Sequence, residues 1–214
     1  MSAAPTRRIT PSEYLELDRV ASERFQYYRG EMFAMAGGTK NHNRIARNML
    51  VAFENHFRKH LRRCETFSSD LRLQVNPQSF YTYPDVTVVC GEAKFLDERA
   101  DTLTNATLIV EVLSPSTEHF DRGKKFENYR QLESLQEYVL VSQHKPLVER
   151  FLRENDGSWK LNVADHAADK LHLASLDLQL PLSEIYLDVD FPPIVEDPPG
   201  ELKAPPFDET NRPY

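Results

Sequence analysis

Long hydrophobic runs are missing from this chain of 214 residues. No apolar stretch approaches the roughly 20 residues that a membrane span needs, so the sequence predicts no membrane association. The N-terminal MSAAPTRRIT carries basic residues with no apolar segment behind them, which predicts no secretory signal. Cysteine is scarce as well. Cys64 and Cys90 are too few for a disulfide framework and lack the CxxC or histidine spacing of a zinc site, so the expectation is reduced thiols in a cytoplasmic protein. Positive charge is in deficit: 26 Lys and Arg against 33 Asp and Glu leave a net charge of -7. That argues against tight non-specific nucleic-acid binding by the whole surface, because such binding depends on phosphate neutralisation. Any contact with phosphates must be local. No internal repeat is visible.

What is present is an ordinary globular composition, 40% hydrophobic and 28% charged, in a length suited to one domain. The sequence predicts a flexible arm over 1–9, a domain over 10–189 and an extended or disordered tail over 190–214. That tail holds seven of the 14 prolines and few apolar anchors. Thr10-Pro11-Ser12-Glu13 supplies a cap, a proline and an acid for a helix running to about Ala21. Two short strands around Arg29-Gly30 follow, from Phe25 to Met35. Between Asn41 and Arg62, Ile45, Met49, Ala52, Phe53 and Phe57 recur at steps of three and four, the signature of a long amphipathic helix. Its other face carries Arg44, Arg47, Arg58, Lys59, Arg62 and Arg63, which could meet phosphates, although a solvated face explains them more simply. Strands are expected at 65–67, 71–75, 86–90 and 108–113, forming a mainly antiparallel sheet. A second helix is expected from Glu118 to Leu135, then strands at 137–142, 147–153 and 159–163, the last two joined by Asn155-Asp156-Gly157.

The chemistry concentrates in three places. Glu111 lies inside LIVEVL, where every neighbour is apolar. A charge there must be neutralised, paired or bound to a cation, unless the strand surfaces at that point or an arginine answers it privately. Asp85 follows Tyr83-Pro84 at the start of VTVV; alone it reads as a turn residue. Together, two carboxylates at the start of one strand and the middle of a neighbouring one can converge on a divalent cation, and oxygen ligands suit Mg²⁺ or Mn²⁺. The third place is SPSTEHFDRGKKFENYR, which carries Asp121, Lys124, Lys125 and Tyr129 directly after the Glu111 strand. One of its lysines can point back to the carboxylates and stabilise negative charge on a phosphate. The plainer explanation is an Asp121–Lys125 pair on a helix surface.

The succession YPDVTVVCG, LIVEVLSPSTEHFDRGKKFENYR and LQEYVLVS resembles the Uma-type putative restriction endonuclease family, a branch of the PD-(D/E)XK nuclease superfamily, over roughly Thr10 to Tyr186. The resemblance implies an α+β restriction-endonuclease-like fold, a central mixed sheet flanked by helices. It implies Asp85 as the motif aspartate, Glu111 as the second metal-binding acid and Lys125 as the lysine, with Mg²⁺ or Mn²⁺ as cofactor and DNA as substrate. The superfamily usually places the lysine two residues after the second acid, where this chain has Leu113, so the role falls to Lys125 on the following helix. Glu31 and His42 match positions that the family tends to keep, His42 serving as a cap or approaching the metal; Asp70 is a candidate of the same rank. Gln26 stands where members often carry Glu. A homodimer is expected if both strands are cut. The alternatives of another class are a catalytically silent nuclease-fold binding module and a hydrolase of small molecules.

Overall fold

The computed structural model describes residues 8–35, 37–115, 117–166 and 168–191. Helix α1 (Pro11–Val20) begins with a capping box in which Thr10 and Glu13 satisfy each other's backbone N–H groups. Strands β1 (Phe25–Tyr28) and β2 (Glu31–Ala34) form the expected hairpin. Helix α2 (Lys40–Lys59) is capped by Thr39, whose hydroxyl accepts from the His42 N–H, and it buries Ile45, Met49, Phe53 and Phe57, one residue per turn.

The strands after α2 divide among three sheets, two large ones and a final two-stranded pair, which corrects the expectation of a single one. Strands β3 (Cys64–Ser68), β6 (Val86–Cys90), β8 (Leu108–Leu113), β9 (Glu137–Ser142), β10 (Val148–Arg153) and β11 (Trp159–Ala164) build a sheet in the order β11-β10-β9-β8-β6-β3. Its pairs are antiparallel except β8–β9, which is parallel. Strand β4 (Arg72–Asn76) leaves for a second sheet with β1, β2 and two short strands that the sequence pattern does not reveal, β5 (Phe80–Thr82) and β7 (Thr102–Leu103). Further elements beyond Val163 were also not foreseen: β12 (Lys170–Leu173), β13 (Leu178–Pro181) and helix α5 (Leu182–Ile185). The central mixed sheet flanked by helices is as expected.

The parallel pair requires a crossover, and the crossover is where the second expected helix lies. That helix ends at Tyr129 instead of Leu135 and is not regular: α3 (Glu118–Phe120), a π-helical turn (Asp121–Lys125) and α4 (Phe126–Tyr129) follow one another. The Asn128 side chain donates to the Lys124 carbonyl at 2.6 Å, and Gln136 and Glu137 donate to the Thr107 carbonyl to begin β9. Leu132 and Leu135 still reach the core, but from turns. Tertiary pairing therefore overrides the local helical pattern.

The second correction concerns the cysteines. Cys64 and Cys90 are directly opposed in the β3–β6 register, with Cα atoms 4.0 Å apart, and their sulfurs are bonded in a disulfide. They are not two free thiols. No helix among the described residues is long and apolar enough to cross a membrane. Of the expected tail, Asp190 and Phe191 pack on the domain, with the Phe191 ring 5.2 Å from that of Tyr186; 192–214 lie outside the described residues, as do 1–7 of the expected arm.

A buried ionic knot ties α1 to the second sheet. Arg72 donates through Nε to Asp18 at 3.0 Å and to Tyr83 at 3.1 Å, and through NH1 to Thr102 at 2.7 Å; the Tyr83 hydroxyl also donates to Asp18. The Asp18 side chain has no solvent exposure.

Candidate active site

Strand β8 is buried at all six positions, so its Glu111 carboxylate has no access to bulk water and must be answered from within the protein. Lys125 Nζ lies 2.8 Å from Glu111 Oε1, and the Tyr129 hydroxyl donates to the same oxygen at 2.7 Å. The π-helical turn and α4 put both donors on the face that looks back at β8. Asp121, also buried, stands 3.1 Å from Lys125 Nζ, yet its Oδ1 makes no hydrogen bond of good geometry. Such a turn, with an extra residue in its hydrogen-bonded ring, is a feature found often at functional sites.

Asp85 reaches the same region from the neighbouring strand. It sits just before β6, and its Oδ2 accepts from the backbone N–H of Val112, the residue after Glu111, at 2.7 Å. His42, in the first turn of α2, places Nε2 3.2 Å from that oxygen. The structure thus brings together Asp85, Glu111, Lys125, Asp121, Tyr129 and His42. His42 contributes its backbone N–H to the helix cap while its ring faces Asp85. Glu31 and Asp70 go elsewhere. Glu31 is exposed on the edge strand β2 of the other sheet, and Asp70 is exposed and paired with Arg24.

Electrostatics follow from this packing. Burial pushes the Glu111 carboxyl up to about 8; the Lys125 ammonium opposes that shift, while the charges of Asp85 and Asp121 add to it. For Lys125 burial pulls downward but the attraction of Glu111 and Asp121 outweighs it, holding the ammonium charged well above its usual range. His42 is raised in spite of desolvation, through its bond to Asp85 and the charges behind it. Burial and the nearby Glu111 charge raise the Tyr129 hydroxyl, which stays a donor. Once Glu111 ionises, near pH 8, three carboxylates face Lys125, and that excess of negative charge attracts cations.

Two further residues belong to the surroundings. Gln143, buried just beyond β9, donates to the Leu113 carbonyl at 2.7 Å and accepts from the Thr39 hydroxyl. It thereby fixes the start of α2, and with it His42, to the end of β8. Neither Gln143 nor Thr39 interrupts a hydrophobic pattern, so nothing in the sequence singles them out. Gly38 lies under the imidazole: a Cβ there would be 2.5 Å from His42 Nδ1. Gly38→Ala is expected to push the ring off Asp85 at a stability cost of about 1 kcal/mol or less, read as a displaced His42 Hε1 resonance. An unmoved resonance would mean that Asp85 does not depend on this approach.

Fold and site define a class: a restriction-endonuclease-like α+β domain with an acidic, lysine-containing centre at the β6–β8 junction. The chain belongs to the Uma2 family, described as "Putative restriction endonuclease", whose model matches residues 11–183. Two relatives are uncharacterized proteins of Synechocystis sp. One, slr1290, is 37% identical over 191 residues, which cover 88% of this chain and 97% of the relative. The other, sll1609, is 39% identical over 163 residues, covering 75% and 90%. A crystal structure from Anabaena variabilis, described as a putative nuclease belonging to DUF820, superposes with a TM-score of 0.69 over 83% of this chain and 97% of that one. At 18% identity that match speaks to the fold alone.

Proposed function

We propose that the protein is a divalent-cation-dependent endonuclease that hydrolyses phosphodiester bonds in DNA, with Asp85 and Glu111 holding Mg²⁺ or Mn²⁺. The observation that carries the reading is the meeting of these two carboxylates, from adjacent strands, with Lys125 buried against Glu111. The donor set fits such a cation in being all oxygen and in excess of its own counter-charge. Among the described residues no group of three or more His, Cys, Asp or Glu side chains is placed to hold a metal ion, so the protein would supply two ligands at most. Water and substrate phosphate would complete the coordination, as is usual for Mg²⁺.

When bound, the cation would polarise a phosphoryl oxygen and acidify water. The chain's own residues would do the rest. Lys125 carries a fixed positive charge into a dry site, where it stabilises charge developing on the phosphate. Tyr129 and Lys125 orient the Glu111 carboxylate, and the Val112 N–H orients Asp85. His42, still partly accessible, can hold a proton against Asp85 at the mouth of the site. Cutting both strands would call for two copies, which sedimentation at working concentration would detect.

Calorimetric titration of Mn²⁺ tests the reading, with the Asp85→Ala, Glu111→Ala double variant as control. Because Glu111 titrates at about 8, cation binding must displace a proton at lower pH. Affinity should rise with pH, by about 50-fold from pH 6 to pH 8, and level off above that. The metal-free protein should behave oppositely. A carboxyl raised from 4.5 to about 8 on folding contributes stability that is full below the lower value and lost as pH rises through the higher. A silent binding module has one observation in its favour, since Lys125 already answers Glu111 and Asp121. No Mn²⁺ binding to folded wild type would select that alternative.

A further inference from the structure

We propose that the first turns of α2, through Lys40, Arg44 and Arg47, form the surface on which the phosphate backbone of double-stranded DNA lies. In the free protein, the chain's own Leu187–Asp190 segment occupies that surface as an acidic stand-in. The identity of the partner rests on the nuclease reading; the contact itself does not.

A protein of net charge -7 needs a local cationic surface to meet DNA. The basic residues of α2 differ in how they are used. Arg58, in its last turn, pairs with Glu54, and Arg62, just beyond the helix, pairs with Asp177. At the N-terminal end, Lys40 Nζ lies 3.1 Å and Arg44 NH1 3.4 Å from a single Asp190 oxygen. The Asn41 amide donates to the Asp190 carbonyl at 2.8 Å, and Arg44 donates to the Asp188 carbonyl. One anionic oxygen bridged by a lysine and an arginine, with an amide donor beside it, is the donor arrangement that a phosphodiester takes. Arg47, exposed one turn on, has no carboxylate partner among the described residues.

The surface is near the site: His42 belongs to the same first turn of α2, and from the opposite side of the helix its ring touches Asp85, which puts the Lys40–Arg44 face one helix diameter (~10 Å) away. The bridge is also displaceable. Asp190 is 78% exposed and Lys40 66% exposed, a setting in which an ion pair contributes little to the fold. A phosphate can therefore take the place of the Asp190 carboxylate while Asn41, Arg44 and Asn48 keep their bonds to the carbonyls of the segment.

Fluorescence anisotropy with a labelled DNA duplex, in EDTA so that nothing is cut, tests this on the full chain. Asp190→Asn should tighten binding about two- to fivefold near 0.1 M salt, because it removes a competing anion. Lys40→Ala with Arg44→Ala should weaken binding about 10-fold and make the log–log salt slope shallower by about 2, the share of two lost phosphate contacts. Thermal melting checks that each variant is folded. Unchanged or weaker binding by folded Asp190→Asn overturns the stand-in, and wild-type affinity and salt slope in the Lys40, Arg44 variant overturn the surface. A parallel cleavage assay in Mn²⁺ separates the two readings. Cleavage by wild type with both variants' affinities unchanged overturns the surface and leaves the nuclease; the predicted shifts with no cleavage support the surface and count against the nuclease.

Discussion

Glu111→Gln should lower Mn²⁺-dependent duplex cleavage on the order of 1,000-fold and abolish Mn²⁺ binding, while the protein stays folded. The substitution keeps the shape and an acceptor for the Tyr129 hydroxyl, and Lys125 retains Asp121 as a partner. It removes a carboxyl that burial and two like charges already disfavour as an anion. At pH 8 the metal-free variant should therefore melt no lower than wild type, and its melting temperature should lose the fall between pH 5 and pH 8. Loss of activity thus separates from loss of fold, which a truncation to Ala would leave entangled. Wild-type cleavage rates in a Glu111→Gln preparation cleared of contaminating nucleases would sink the proposed mechanism.

Arg72→Met is expected to have the largest effect on stability, about 3–5 kcal/mol, without touching the candidate site. It removes the counter-charge of the Asp18 carboxylate, whose side chain has no solvent exposure and keeps only neutral donors, and it takes a donor from Tyr83 and from Thr102. Urea unfolding followed by tryptophan fluorescence, through the single Trp159, would read the shift in midpoint. Asp18→Asn added to Arg72→Met should recover part of the loss, since the remaining amide carries no charge into the interior. If the double variant is less stable than the sum of the single changes, the knot stabilises chiefly through its hydrogen bonds and packing, and not through balancing of charge.

Much of the site could be read in the sequence because its residues violate local expectation. A carboxylate in LIVEVL contradicts its strand, and Pro84 fixes the entry of Asp85 into β6. Nothing local separates Lys125 from Lys124; the family resemblance singles out Lys125, and the physical reason is the π-helical turn, which buries Lys125 and leaves Lys124 exposed. The features that stayed hidden depend on pairing. Cys64 and Cys90 bond because β3 and β6 fall into a register that opposes them, and no count or spacing of cysteines specifies a register. Strands β5 and β7 are three and two residues long, too short to display a period. Glu31 and Asp70 are ordinary surface carboxylates, Glu31 on the edge strand of the second sheet and Asp70 in the turn before β4.

The disulfide closes a covalent ring over a sequence separation of 26 residues, and both Arg72 and Asp85 are carried within it. In the unfolded chain such a ring removes configurational freedom equivalent to about 3–4 kcal/mol. Thiol reductants of the kind routinely added to enzyme buffers would open it. The segment that carries Arg72 and Asp85 would then be closed by the β3–β6 hydrogen bonds alone. Redox conditions are therefore expected to shift this protein's stability as strongly as pH does.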